Sequence, residues 1–275
     1  MQDPLYTGGG DCPEPATKAA GQWARPRVVA VGGLDPSGGA GLVRDLRTAQ
    51  ALGAHAILVG TAWTRQDESG VKGVEPRAPE MVRAGLEHAL AACPPRGTAV
   101  KIGMVAGGSI AAAIVSGLDA WQGPVVFDPV LRASGGGSLF EGKPADLLPL
   151  IRRATLLTPN LAEAAWLTGR VVESLDHARY AAQTLAGWGQ AAVLVKGGHL
   201  CGPATDVLHS PSGERLFAGA RLPGKNPRGT GCALATAIAV GLALGQPLDR
   251  AVDSAKVWLA GRIQAAETIG DARYL

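Results

Sequence analysis

Clusters of glycine, each placed near the end of a short apolar run, constrain this chain more than any other feature. They are Gly32-Gly33, Gly38-Gly39, Gly107-Gly108, Gly135-Gly136-Gly137, Gly197-Gly198 and Gly229-Thr230-Gly231. Glycine reaches backbone conformations closed to other residues and lets the backbone come close to a ligand. A flexible linker would spread its glycines evenly. Glycines gathered behind apolar runs instead read as strand-to-helix loops, and a helix start beyond such a loop can hold an anion.

The runs follow a pattern. Val28-Val29-Ala30-Val31 is continuously apolar and reads as a buried strand. Further strands are expected at 54–61, 99–104, 124–128, 154–157 and 191–196. Helices are expected at 40–52, 79–92, 109–121, from 145, from 159, and at 176–188, 231–244 and 248–268. Residues 64–76 are polar and β-compatible and predict a flap or hairpin. Residues 132–142 form a glycine-rich loop, and 206–221 a hairpin turning at Pro211-Ser212-Gly213. Alternation of this kind gives βαβ units and a mainly parallel sheet with helices on both faces. Ligands then bind beyond the carboxyl ends of the strands. Residues 1–26 carry proline and glycine without an apolar period and are expected to be a mobile extension. Residues 27–275 are expected to form a single domain.

Charge and cysteine usage remove several function classes. Lys plus Arg is 26 and Asp plus Glu 23, a net charge of +3 with no basic run, which argues against nucleic acid. No apolar stretch approaches the roughly 18 residues of a membrane span. Cys12, Cys93, Cys201 and Cys232 form no CxxC pair, so neither a disulfide scaffold nor a structural zinc site is expected. The N-terminus has no charged region followed by an apolar core, the mark of a secretory signal. A soluble, cytoplasmic protein is the expectation.

Five segments carry candidate chemistry. Gly229-Thr230-Gly231-Cys232 precedes a small-residue helix, where outward N–H groups and the helix dipole could stabilise a transferring phosphoryl group. A thiol in that first turn is expected to have a lowered pKa; a buried, inert cysteine is the plain alternative. Asp35-Pro36-Ser37-Gly38-Gly39-Ala40-Gly41 follows the first strand but matches neither a GxxxxGK[ST] nor a GxGxxG loop. Asp45 lies beyond it on a packing helix, where a carboxylate is ordinarily exposed. Asn160 and Glu163 stand three apart at a helix start: an N-cap with an acidic first turn, or a pair that orients waters around Mg²⁺. Lys196 and Asp128 each end a strand.

Taken in order, GGLDPSGGAG, DLRTAQALGA, KIGM, DPV, TPNLAEA, VKGGH and RGTGCA resemble the hydroxymethylpyrimidine and phosphomethylpyrimidine kinases of thiamine biosynthesis, within the ribokinase superfamily. The resemblance spans about residues 28–268. It implies a three-layer α/β/α sandwich with a small β flap that transfers the γ-phosphoryl of MgATP to an alcohol, and a homodimer. By resemblance, Gly229, Thr230 and Gly231 build the anion hole, Cys232 is the candidate base and Lys196 meets the ATP phosphates. Asn160 and Glu163 hold Mg²⁺ waters with Asp128 nearby, and Gly33, Asp45, Gln66 and Met104 line the pyrimidine pocket. The chain departs from the family pattern at Leu34, Thr64, Arg65 and Arg228, so pyridoxal remains the alternative substrate. A non-catalytic pyrimidine-binding protein is the alternative of a different class.

Overall fold

The computed structural model describes residues 25–275 except 68–69, 134–135, 190, 199, 201–202, 220–226 and 271. The expectations for residues 1–24, Gly135, Cys201, His199 and Arg221 therefore lie outside the described residues. In chain order the elements are β1 (Arg27–Leu34), α1 (Gly41–Ala51), β2 (His55–Asp67), β3 (Gly70–Pro76), α2 (Pro79–Ala91), β4 (Thr98–Ile102), β5 (Ala106–Gly107) and α3 (Gly108–Gly117). There follow β6 (Val125–Phe127), β7 (Phe140–Glu141), α4 (Pro144–Arg153), β8 (Leu156–Leu157), α5 (Leu161–Thr168), α6 (Leu175–Gly189) and β9 (Ala192–Val195). The chain ends with β10 (Ala204–Ser210), β11 (Gly213–Gly219), α7 (Thr230–Ala243), α8 (Leu248–Gln264), β12 (Glu267–Ile269) and β13 (Ala272–Tyr274).

The main sheet has the order β11-β10-β9-β8-β6-β4-β1-β2-β3. Its six central strands, β9 to β2 in that order, pair in parallel, and the strands outside them are antiparallel. Because side chains alternate along a strand, continuous apolar runs feed two cores. Val29, Val31, Val100, Ile102, Phe127 and Val193 pack against α2 to α6. Val28, Ala99, Val126, Leu156 and Leu194 pack against α1, α7 and α8. This is the expected three-layer sandwich.

The path from β1 runs one way to β2 and then returns across β1 to β4. The sheet therefore reverses direction between β1 and β4, and a crevice opens beyond the carboxyl ends of those strands. Residues 64–76 form the expected hairpin: 64–67 extend β2, and β3 pairs with it antiparallel as the edge of the main sheet. One expectation needs correction. The last helix ends at Gln264 rather than near Thr268, and β12 and β13 form a hairpin, with Gly270 in the left-handed region. Strands of three residues are too short to show a period of two.

Candidate active site

A cleft of about 750 Å³ lies at the switch point. Gly33, Asp45, Gln66, Lys101, Met104 and Arg228 line one end. Its middle holds Asp128, Asn160, Glu163, Lys196 and Gly229 to Cys232, and the far end Asp206, Lys256, Leu259 and Ile263. All twelve residues singled out from the sequence thus reach one cavity.

The helix start is shaped by backbone. Gly229 caps α7 with φ of 75°, and a Cβ there would lie 2.2 Å from the Gly39 carbonyl oxygen. Gly41 has φ of 57°, and a Cβ would lie 2.3 Å from the Gly33 oxygen. Only glycine fits either place. Gly39 and Gly229 therefore bring the turn after β1 directly against the start of α7. No side chain caps α7, so its first N–H groups face the cleft with the positive end of the helix dipole.

Opposite this turn stands a cation held by carboxylates. The Lys196 ammonium lies 2.6 Å from Asp128 Oδ1 and 3.9 Å from Glu163 Oε2. A Cβ on Gly231 would sit 3.2 Å from Lys196 Nζ, which places the ammonium at the start of α7. Burial alone would lower the Lys196 pKa, but the charges of Asp128 and Glu163 raise it, so it stays protonated. Burial, with the charge of Asp128 added to it, pushes Glu163 up to about 7 against the pull of Lys196. Asn160 and Glu163 form a capping box: Asn160 Oδ1 accepts from the Glu163 amide at 2.9 Å, and Glu163 Oε2 accepts from the Asn160 amide at 2.7 Å. The N-cap reading of this pair is the one the hydrogen bonds display, and the box fixes Glu163 at the cleft wall.

The cysteine differs from expectation. Burial raises the Cys232 thiol to about 11, outweighing the nearby Lys101 charge that would lower it. The helix start does not make a resting thiolate, because the desolvation of the thiol outweighs the Lys101 charge, and the charges of Asp45 and Asp128 add to it. Asp45 also differs: it is 1% exposed rather than solvated. Lys101 reaches both its oxygens, at 2.8 and 2.9 Å, and the Thr236 hydroxyl donates to Oδ1 at 2.8 Å. Burial opposes the Lys101 charge, but Asp45 outweighs it and holds the ammonium above its ordinary range. Thr236 lies one turn after Cys232 on α7, so this ion pair ties α1, β4 and α7 together beneath the thiol.

Met104 and Gly33 meet as expected: a Cβ on Gly33 would lie 2.6 Å from the Met104 sulfur. Gln66 stands where β2 bulges into the flap. Val71 of β3 donates to the Gly136 carbonyl at 3.4 Å, which brings flap and glycine-rich loop together. Lys101, Thr236, Asp206 and Lys256 were missed as site residues. The signal for Lys101 was present: a lysine inside the apolar strand TAVKI needs a buried partner.

The cavity suits a phosphate chain running from the far end to the anion hole, with a flat, partly polar ligand at Met104 and Gln66. Among the described residues no three His, Cys, Asp or Glu side chains converge as a metal cluster. The Asp128 and Glu163 oxygens nevertheless suit a hard cation that keeps most of its waters, as Mg²⁺ does with phosphates.

Comparison with known proteins agrees with this geometry. Residues 35–274 match the model of a family described as phosphomethylpyrimidine kinase. A hydroxymethylpyrimidine/phosphomethylpyrimidine kinase of Rhizobium meliloti is 41% identical over 250 residues, covering 88% of this chain and 92% of the relative. The crystal structure of a phosphomethylpyrimidine kinase from Clostridium difficile is 32% identical with a TM-score of 0.74, over 87% of this chain and all of that one. A Staphylococcus aureus pyridoxal kinase in complex with AMP-PCP and pyridoxal is 27% identical with a TM-score of 0.81, over 92% and 93%. The chain belongs to the phosphomethylpyrimidine kinase family.

Proposed function

We propose that this chain is an ATP-dependent kinase that phosphorylates the hydroxymethyl group of 4-amino-5-hydroxymethyl-2-methylpyrimidine, and then the resulting monophosphate, in thiamine biosynthesis. One observation carries the reading: an uncapped helix start, a lysine held by carboxylates and a pocket lined by Met104 and Gln66 share a single cleft. The uncapped N–H groups of Thr230, Gly231 and Cys232 suit the charge that spreads over a transferring phosphoryl group. Lys196 suits the phosphates of ATP from the opposite side, and Asp128 fixes its position. When Mg²⁺ is bound, it neutralises part of the phosphate charge. Asp128 and Glu163 would hold it, largely through water, while Asn160 acts through its grip on Glu163.

Cys232 is the proton acceptor for the hydroxymethyl group in this reading. Only its thiolate can take that proton, so the thiol, protonated at rest, first releases its own proton to bulk water; the hydroxymethyl proton then leaves late, after phosphorus–oxygen bond breaking has begun, as a loose transition state permits. Met104 packs on the ring, and Gln66 hydrogen-bonds its polar edge. Residues 1–26 remain outside the catalytic domain, and the reading extends to a cytoplasmic homodimer, for which sedimentation is the test.

ADP release measured with a panel of alcohols tests the substrate. The hydroxymethylpyrimidine should give the highest kcat/KM. Pyridoxal is the second reading, favoured by the fit to the pyridoxal kinase fold. Pyridoxal turned over faster than the pyrimidine would establish it. Tight pyrimidine binding without ADP release would instead point to a binding protein.

A further inference from the structure

The Gln66 side chain is held in a closed ring of hydrogen bonds whose polarity can be traced link by link. Arg228 Nη2 donates to Gln66 Oε1 at 3.1 Å. Gln66 Nε2 is 3.0 Å from Thr64 Oγ1, and Thr64 Oγ1 is 2.9 Å from the Leu34 carbonyl oxygen. A carbonyl can only accept, so the Thr64 hydroxyl spends its one hydrogen on Leu34. Thr64 Oγ1 must then accept from Gln66, which places the NH₂ group on that side. A guanidinium can only donate, which places the amide oxygen on the Arg228 side. Both ends demand the same orientation.

Arg228 is itself anchored. Its guanidinium lies 3.4 Å from Asp35 Oδ2. Asp35 is fixed in turn by the Ser37 amide and hydroxyl and the Ala40 amide, at 2.7 to 3.0 Å. The Arg228 amide donates to the Arg273 carbonyl at 2.9 Å, so the C-terminal hairpin backs the same residue. The ring starts at the Leu34 carbonyl and ends at the carboxylate of the next residue, Asp35.

We propose that Arg228 and Thr64 are positioning residues for substrate choice: together they lock the Gln66 amide so that a ring bound in the cleft must bring a hydrogen-bond acceptor to Nε2. This rests on the pyrimidine kinase reading and names how that site selects its ring. A pyrimidine ring nitrogen is such an acceptor. An amide free to flip would accept a donor there equally well, and the selection would be lost. Arg228 acts through Gln66 and needs no contact with the substrate.

A double-mutant cycle tests this. Arg228→Met and Thr64→Val should each raise the KM for the hydroxymethylpyrimidine about ten-fold, the scale of one hydrogen bond to a ligand. The KM for ATP and kcat should stay unchanged. In a Gln66→Ala background neither substitution should raise KM further. A further rise in that background would overturn the proposal, as would an Arg228→Met defect confined to the monophosphate, which would mean direct contact with the substrate phosphate. Thr64→Val changes little volume and keeps the test open should Arg228→Met fail to fold. The Gln66 side-chain amide signals in nitrogen–proton NMR of the ligand-free protein give a readout independent of substrate. Both substitutions should shift them, and unmoved signals would refute the lock. If the unmodified enzyme turns over no pyrimidine, the functional reading fails while the NMR result still decides the lock.

Discussion

At the scale of single residues, the site pits burial against charge, and burial decides the state of Cys232. A thiol whose pKa lies near 11 when folded, against about 8.5 in an unfolded chain, favours the folded state while it is protonated. That contribution is fully present below about pH 8.5 and is lost as pH rises toward 11. Melting temperature should therefore fall more steeply in this alkaline window for the unmodified protein than for Cys232→Ala. Equal slopes would show that the thiol is not held protonated in the folded state. For catalysis, Cys232→Ala should lower kcat by about 10²–10⁴-fold, the scale of a lost base, with both dissociation constants kept. A silent kcat would remove Cys232 from proton transfer. The motif GTGC was readable in the sequence, but the state of the thiol was not, because it depends on Lys101, Asp45 and Asp128 from distant segments. In the same way the sequence marks Thr64 and Arg228 as departures, yet not that both meet on Gln66.

At the scale of elements, two tethers set the start of α7. One is the contact of Gly229 with the turn after β1. Gly229→Ala would force a left-handed backbone and a Cβ 2.2 Å from a carbonyl oxygen. It should lower both melting temperature and kcat, whereas the open Gly245→Ala position, with the same sign of φ but no neighbour within 4 Å, should cost only stability. The other tether is the Lys101–Asp45–Thr236 network. Lys101→Met leaves a buried carboxylate uncompensated, at a cost of about 3–5 kcal/mol. Differential scanning calorimetry should show a drop on the order of 10 °C. Adding Asp45→Leu should recover part of it, and no recovery would mean that the lysine stabilises by packing alone. Strand and helix order was legible because buried parallel strands read as apolar runs. The pairing of Asp45 with Lys101 was not, since α1 and β4 meet only through the crossover. The flap was legible in composition but not as the edge of the main sheet, since polar residues on an edge strand look like a loop.

At the scale of the whole molecule, the reversal of strand order between β1 and β4 explains why segments scattered from Gly33 to Cys232 form one cavity. The sequence shows that glycine loops follow strands. It does not show strand order, which places β1 between β4 and β2 and brings Met104 beside Gly33. Residues 1–26 carry proline and glycine without an apolar period, so a protein starting at Arg27 is expected to keep its melting temperature and turnover; a large loss of either would show that the segment docks on the domain. The most direct measurement of the central claim is phosphorus NMR of the products formed from ATP, Mg²⁺ and the hydroxymethylpyrimidine. Phosphoryl transfer to the alcohol and then to its monophosphate predicts a phosphomonoester signal, followed by a pair of diphosphate signals, with ADP formed in step. ATP consumed with inorganic phosphate as the only other product, or an ester formed on pyridoxal and not on the pyrimidine, would contradict it.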